Sequence, residues 1–268
     1  MLLAKEYLGE VGVGATSPLF FRADDDRIYI VKLLSNPLGG KVLASEQIAA
    51  SFGRILELPF PDSGIFSISD DWLHMHPIYA HSAIAAGYHF ASCYLPDVSY
   101  ATSTALPYIT NRNELAGLIL FDHLLHNGDR AQNRRNMLLH TDTMNATTLY
   151  GIDHSHLFHS GRWTIDSLAR WEYRIATYTQ NLYGVLLDDW LSASDFRPYA
   201  DAIAHISDDT LKDILRSIPR QWLPDIEERT ALFRFLRIRR DLVYRICERI
   251  YQYIPTARGG TLTTYATR

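Results

Sequence analysis

The chain has 268 residues, 47% hydrophobic and 21% charged, the balance of a soluble globular protein long enough for one large domain or two lobes. A net charge of -4 and a pI near 6.2 lack the basic excess expected of a protein that holds a nucleic-acid backbone, so no direct nucleic-acid binding is expected. Two cysteines, Cys93 and Cys247, give no disulfide framework and no cysteine zinc cluster, and the lack of a signal-like start or an apolar run of about 18 residues argues against secretion and a membrane span, leaving a cytoplasmic location as the expectation.

Along the chain, GEVGVGATSP (9–18) supplies a glycine-rich turn, and ADDD is a turn signal ahead of RIYIVKLL (27–34), which reads as a strand. The Asn36-Pro37-Leu38-Gly39-Gly40 stretch breaks that strand. A helix is predicted over roughly 41–56, because Val42, Leu43, Gln47, Ile48, Ala49 and Phe52 recur near helical spacing. GYHFASCYL (87–95) is a second strand, closed by Pro96-Asp97. From residue 111 the pattern turns helical, with Asn111 and Glu114 resembling a capping box and Asn127-Gly128 serving as the stop. MLLH (137–140) and TLYGI (148–152), separated by TDTMNAT, predict a hairpin. Residues 164–254 read as mostly helical: Ser207-Asp208-Asp209 caps one segment, and Pro224 opens a long helix reaching about 253. The expected class is α+β, with a β-rich N-lobe (1–95), a helical C-lobe (96–254) and a flexible tail (255–268).

The chemistry concentrates in HNGDRAQNRRNMLLH (126–140). A hairpin brings the residue before its first strand beside the residue after its second, since paired strands lie ~5 Å apart. Asn136 precedes MLLH and Asp153 follows TLYGI, so the two should meet, with Asp129 on the loop leading in. Carboxylates and amides converging there suit a hard divalent cation. Phosphoryl transfer needs one Asp to orient the attacking hydroxyl and a second Asp with an Asn to hold magnesium on the nucleotide. Asn133 comes four residues after Asp129 and Asn136 seven after it; both are candidate ligands, with Asn136 preferred because it abuts the strand. Upstream, Lys32 sits inside a strand, where an ammonium needs a partner, and Glu46 on the following helix is placed to pair with it. The glycine turn offers backbone N–H groups that can cradle phosphates.

Taken together, GVGATSP, YIVK, the helix holding SEQIAA, HNGDRAQNRRN and GIDHSHLF resemble the small HipA-like kinase proteins, relatives of the HipA toxin kinase and more distantly of phosphatidylinositol kinase-like folds; the resemblance runs from about residue 9 to 254. It implies a bilobal protein-kinase-like fold, ATP and magnesium as cofactors, and phosphorylation of a protein hydroxyl or a small molecule. By the same resemblance Asp129 is the catalytic base, Asp153 a metal ligand and Lys32 the holder of the α/β phosphates. Gly12, Gly14, Ala15, Thr16 and Ser17 cover the phosphates, and FASCYLP, with Tyr94 and Leu95, contacts adenine. Arg130, beside the base, is read as positioning a phosphate or docking a neighbouring loop. The sequence departs from the family in its Asp-to-Asn spacing, in the wording of its phosphate loop and in having no domain ahead of the kinase core.

Two other readings stand beside this one. A pseudokinase would bind nucleotide without transferring phosphate. A His/Asp phosphohydrolase would use His154, His156 and His159 with His123, His126, Asp122 and Asp129 to bind a transition metal. The arginines of the C-terminal helix, Arg234 to Arg249, alternate with acids and read as a solvated face.

Overall fold

The computed structural model describes residues 1–79 and 84–255. Strands crowd the first part of the chain and helices the second, as an α+β class requires. The strands are β1 (Leu2–Glu10), β2 (Leu19–Ala23), β3 (Ile28–Lys32), β4 (Ser63–Ile68), β5 (Gly87–Cys93), β6 (Ser99–Tyr100), β7 (Met137–Thr141) and β8 (Thr147–Gly151). The first five close into a barrel in the order β1-β2-β3-β5-β4, sealed by a short parallel pairing of Leu2 with Phe66 and Leu3 with Ser67. The last three form a separate small sheet in the order β6-β7-β8.

Period-two alternation decides what each barrel strand touches. Phe21, Val31, Phe66 and Ala91 point into the barrel, whose core is closed by Trp72 from helix α2 (Asp70–Met75). Phe90, next to Ala91, packs instead into a second and larger core. Lys32, next to Val31 and paired in register with Phe90, therefore leaves the barrel on its outer face. That face is covered by α1 (Gly40–Leu56), whose Val42, Leu43, Ile48 and Phe52 belong to the larger core.

At the centre of the larger core lies α3 (Glu114–Leu124), buried from Leu115 to Leu124, as a helix apolar on all sides must be. Against it pack α4 (Gly128–Gln132), α7 (Ala193–Ala204) and α10 (Val243–Tyr251), and α5 (Ile165–Trp171), α6 (Leu182–Val185), α8 (Asp208–Arg216) and α9 (Ile226–Asp241) complete the helical part. Among the described residues no helix is long and apolar enough to cross a membrane.

Three boundary expectations are corrected. Asn111 does not cap α3: its amide clamps β8, donating to Leu149 O at 2.9 Å and accepting from Leu149 N at 3.0 Å. The stop after α3 is not Gly128, which opens α4; the left-handed residue is His126, at φ 55°. The long C-terminal helix is two, because the chain turns at Leu242 between α9 and α10. Of the expected tail, residues 256–268 lie outside the described residues.

Candidate active site

The predicted hairpin forms with Met137 opposite Gly151, one residue from the expected register, so that Asn136 faces Ile152 and not Asp153. The ladder continues one step beyond, Ile152 N donating to Asn136 O at 3.0 Å, so the residues bearing Asn136 and Asp153 arrive at the same end. Asp153 then takes a left-handed conformation, φ 58°, which Asp tolerates better than most residues. The turn sends its carboxylate across to Lys32, whose Nζ donates to Asp153 Oδ1 at 2.9 Å. Ser155 N also donates to that oxygen, at 3.2 Å.

Lys32 is no edge-strand lysine, because β3 is paired on both sides. Its ammonium also donates to Glu46 Oε1, and Glu46 is buried at 2% exposure on α1. Burial works against the charge on Lys32, and the two carboxylates outweigh it, raising the ammonium above its ordinary pKa. Burial likewise opposes ionisation of Asp153, yet the Lys32 ammonium and the Ser155 donors hold its carboxyl well below the usual range. Glu46 is lowered in the same way, against its burial, by Lys32 and His154. All three groups are therefore charged, forming a buried triad of one cation between two anions.

Asp129 lies on α4, and Asn136 Nδ2 donates to Asp129 Oδ2 at 2.6 Å. Asn133 stands behind, its Nδ2 donating to Asn136 Oδ1 at 3.2 Å while its own Oδ1 accepts from Arg135 N. The seven-residue partner, not the four-residue one, thus touches Asp129. The glycine turn joins β1 to β2, with Gly12 at φ 78°, Gly14 at φ 103° and Ser17 at φ 47°; glycine suits the first two because side chains strain there. Ser17 N closes the turn onto Gly14 O, and Thr16 is buried. Leu19 is opposite Val31, so extending the register by one residue sets Pro18 against Lys32 and brings the turn to the lysine's end of the barrel. Tyr94 and Leu95 lie between β5 and β6, linking barrel to small sheet; Tyr94 N donates to Ile28 O at 2.9 Å.

Arg130 does not face this site. Read in the sequence as positioning a phosphate or docking a loop, it is fully buried and donates to Asp122 Oδ1 at 2.6 Å and to Ile152 O at 3.3 Å. Asp122 also accepts from Asn127 and Tyr183, and three donors mark it as the anion of the pair although burial pushes its carboxyl up. The sequence reading missed Asp122 as a partner, since an Asp in an apolar helix has no local signature of what it meets. It also misplaced Arg239, which is fully buried and donates to His123 O at 2.9 Å and Leu124 O at 2.8 Å, capping the carbonyl end of α3.

A His/Asp metal centre is not assembled. His123 is bound through its two nitrogens to Ile119 O and Tyr178 N, and His126 to Tyr178 Oη and Trp171 O. Among the described residues no three or more His, Cys, Asp and Glu side chains gather to hold a metal ion. Lys32, Glu46 and Asp153 form one cluster, and Asp129, Asn136 and Asn133 another.

A family model described as HipA-like kinase matches residues 5–250. The chain belongs to the HipA-like kinase family. The fold of this HipA-like kinase is similar to that of the Helicobacter pylori proinflammatory kinase CtkA, with a TM-score of 0.57, 13% identity, and coverage of 95% of this chain and 98% of that one. A weaker likeness is to the Golgi casein kinase with Mn/ADP bound, with a TM-score of 0.46, 12% identity, and coverage of 96% of this chain and 74% of that one. No curated protein matches it in sequence.

Proposed function

We propose that this HipA-like kinase transfers the γ-phosphoryl group of ATP, with magnesium, to a hydroxyl of a protein Ser/Thr or of a small molecule. The observation that carries this reading is the Lys32–Asp153 contact at 2.9 Å, which joins a phosphate-anchoring cation to a metal-binding anion beside the Asp129–Asn136 pair. The donors fit magnesium: Asp153 is ionised and part-exposed, and Asn136 supplies an amide oxygen, a hard oxygen set with too few protein ligands for a cage. Held there with ATP, magnesium would supply neutralisation of the phosphate charge.

Each residue has a task in this scheme. Lys32, held by Glu46, is the anchor for the α/β phosphates. Asp129 has one carboxylate oxygen tied by Asn136, which aims the other at the acceptor hydroxyl to take its proton. Asn136 is the metal-binding amide, since Ile152 N donates to its main-chain O and so sets it at the strand end next to Asp153. The turn from Gly12 to Ser17 lies over the phosphates, and the Tyr94–Leu95 link offers its backbone to adenine. Because Tyr94 N is already taken by Ile28 O, that contact falls to Leu95 and its neighbours.

The test is ATP turnover by purified Asp129→Asn, with circular dichroism as the control for folding. Turnover is expected to vanish while the fold persists, and wild-type turnover in the variant sinks the assignment. Calorimetry of Asp153→Asn is expected to show loss of magnesium-dependent nucleotide affinity, whereas an unchanged affinity removes Asp153 from the metal site.

A further inference from the structure

The loop that carries Asp129 and Asn136 is held from outside by a residue with no task in that scheme. Helix α4, which bears Asp129, is little more than one turn long, and Asn133 leaves it with extended backbone at φ -102° and ψ 99°. The carbonyls of its last residues, Ala131 and Gln132, therefore find no donor inside the helix. One side chain serves both: Asn181 Nδ2 donates to Ala131 O at 2.9 Å and to Gln132 O at 3.1 Å. The Oδ1 of the same amide accepts from Arg134 Nε at 3.1 Å. Arg134 opens the short turn that ends in Asn136. Asn181 thus touches both halves of the loop, one bearing Asp129 and the other Asn136, whose side chains meet at 2.6 Å.

Asn181 also sits where its own backbone is strained. It is the first central residue of a tight turn closed by Tyr183 N donating to Gln180 O at 3.2 Å, and its φ is 52° with ψ -126°. Those angles belong to the first central position of a type II′ turn, where glycine is the usual residue. Asn tolerates the left-handed helical region, but that region lies at positive ψ. Backbone demand alone therefore favours glycine at this position, and the amide is what asparagine adds. The turn itself is firmly seated: Leu182 and Tyr183 are buried, and a Cβ added at Gly184 would lie 2.6 Å from Thr179 O. Tyr183 Oη donates to Asp122, the partner of Arg130. Residues 181–183 in this way grip the loop twice, from inside through Asp122 and from outside through Asn181.

We propose that Asn181 is the positioning residue that fixes the bend between Asp129 and Asn136, holding the base and the metal-binding amide in register with each other. The catalytic consequence rests on the phosphotransfer reading; the clamp itself does not. Glycine at 181 relieves the turn and gives up all three contacts with the loop.

The test compares the full-length wild type with Asn181→Gly and Asn181→Asp. Aspartate keeps an acceptor for Arg134 and loses both donated hydrogen bonds. Amide hydrogen exchange reads the loop directly at the N–H groups of Asn133 and Asn136, which donate to Asp129 O and Asn133 O. Both variants are expected to exchange these two amides about tenfold faster, with α3 unchanged. Wild-type protection in Asn181→Gly overturns the clamp whether or not the protein transfers phosphate. A wild type without turnover sinks the phosphotransfer reading and leaves the exchange result to decide the clamp. Kinetics, calorimetry and urea unfolding then test the positioning role. The expected result is a kcat about tenfold lower in both variants, a nucleotide Kd within about twofold of the wild type's, and a urea midpoint for Asn181→Gly no lower than the wild type's. A merely structural residue loses activity only in step with stability. Wild-type kcat in either variant, a loss confined to Kd, or a kcat that falls only with the midpoint overturns the role.

Discussion

Lys32 shows how one residue is fixed by several layers of structure. Its place on β3 sends it out of the barrel, α1 covers it there, and two carboxylates keep it charged. Removing one partner of a buried ion pair leaves the other charge uncompensated, at a cost of about 3 kcal/mol. Lys32→Met is therefore expected to lower the urea midpoint of unfolding markedly as well as to abolish turnover, whereas Asp129→Asn, at a part-exposed carboxylate, lowers turnover alone. Equal midpoints for Lys32→Met and the wild type contradict the buried-triad account. Both residues were legible in the sequence, Lys32 as a cation inside an apolar strand and Asp129 by its distance from the hairpin. Arg130 and Arg239 were not, because an arginine buried against Asp122 or against the carbonyls of α3 looks, in sequence, like any surface arginine.

Among the elements, α1 matters most, because it carries Glu46 to Lys32 while packing its own apolar face into the helical core. Its first turn is seated by a close approach: a Cβ added at Gly40 would lie 2.2 Å from Trp222 O. Trp222 is itself pinned, Nε1 donating to Tyr88 O at 2.7 Å, so it has little room to give. Alanine is the better helix former by about 1 kcal/mol, yet backbone overlap of this kind costs about 1–3 kcal/mol or more. Gly40→Ala is thus expected to destabilise the protein and weaken nucleotide affinity by tilting α1; a variant more stable than the wild type refutes the seating. Helical periodicity gave the span of α1 within a residue at its start, whereas the turn at Leu242 had no warning in a sequence whose periodicity continues through it.

At the scale of the molecule, the two cores depend on histidines kept neutral by burial. The pKa of His89 is lowered to about 4, that of His123 to about 4 and that of His126 to about 3, each chiefly by desolvation. A group whose folded pKa is depressed contributes stability that is present above its unfolded value, near 6.5, and is lost as pH falls toward the folded value. Three such protons give a slope of up to about 4 kcal/mol per pH unit. The urea midpoint is expected to fall steeply below about pH 6.5, before most carboxylates titrate, and His126→Gln to flatten the fall; a midpoint constant from about pH 7 to pH 5 contradicts this. His123 and His126 attracted attention in the sequence as metal ligands, and only their surroundings show that backbone groups occupy them. What the sequence alone determined was local: the strand bearing Lys32, the helix bearing Glu46, and the hairpin whose turn brings Asn136 and Asp153 to one end. Those signals suffice because spacing along one or two elements sets which residues meet. Tertiary structure alone decided that Glu46 binds His154 as well as Lys32, that Arg130 turns inward, and that Asn136 rather than Asn133 reaches Asp129. Such choices depend on which of several possible partners the packing of separate elements places within about 3 Å, a distance no periodicity encodes.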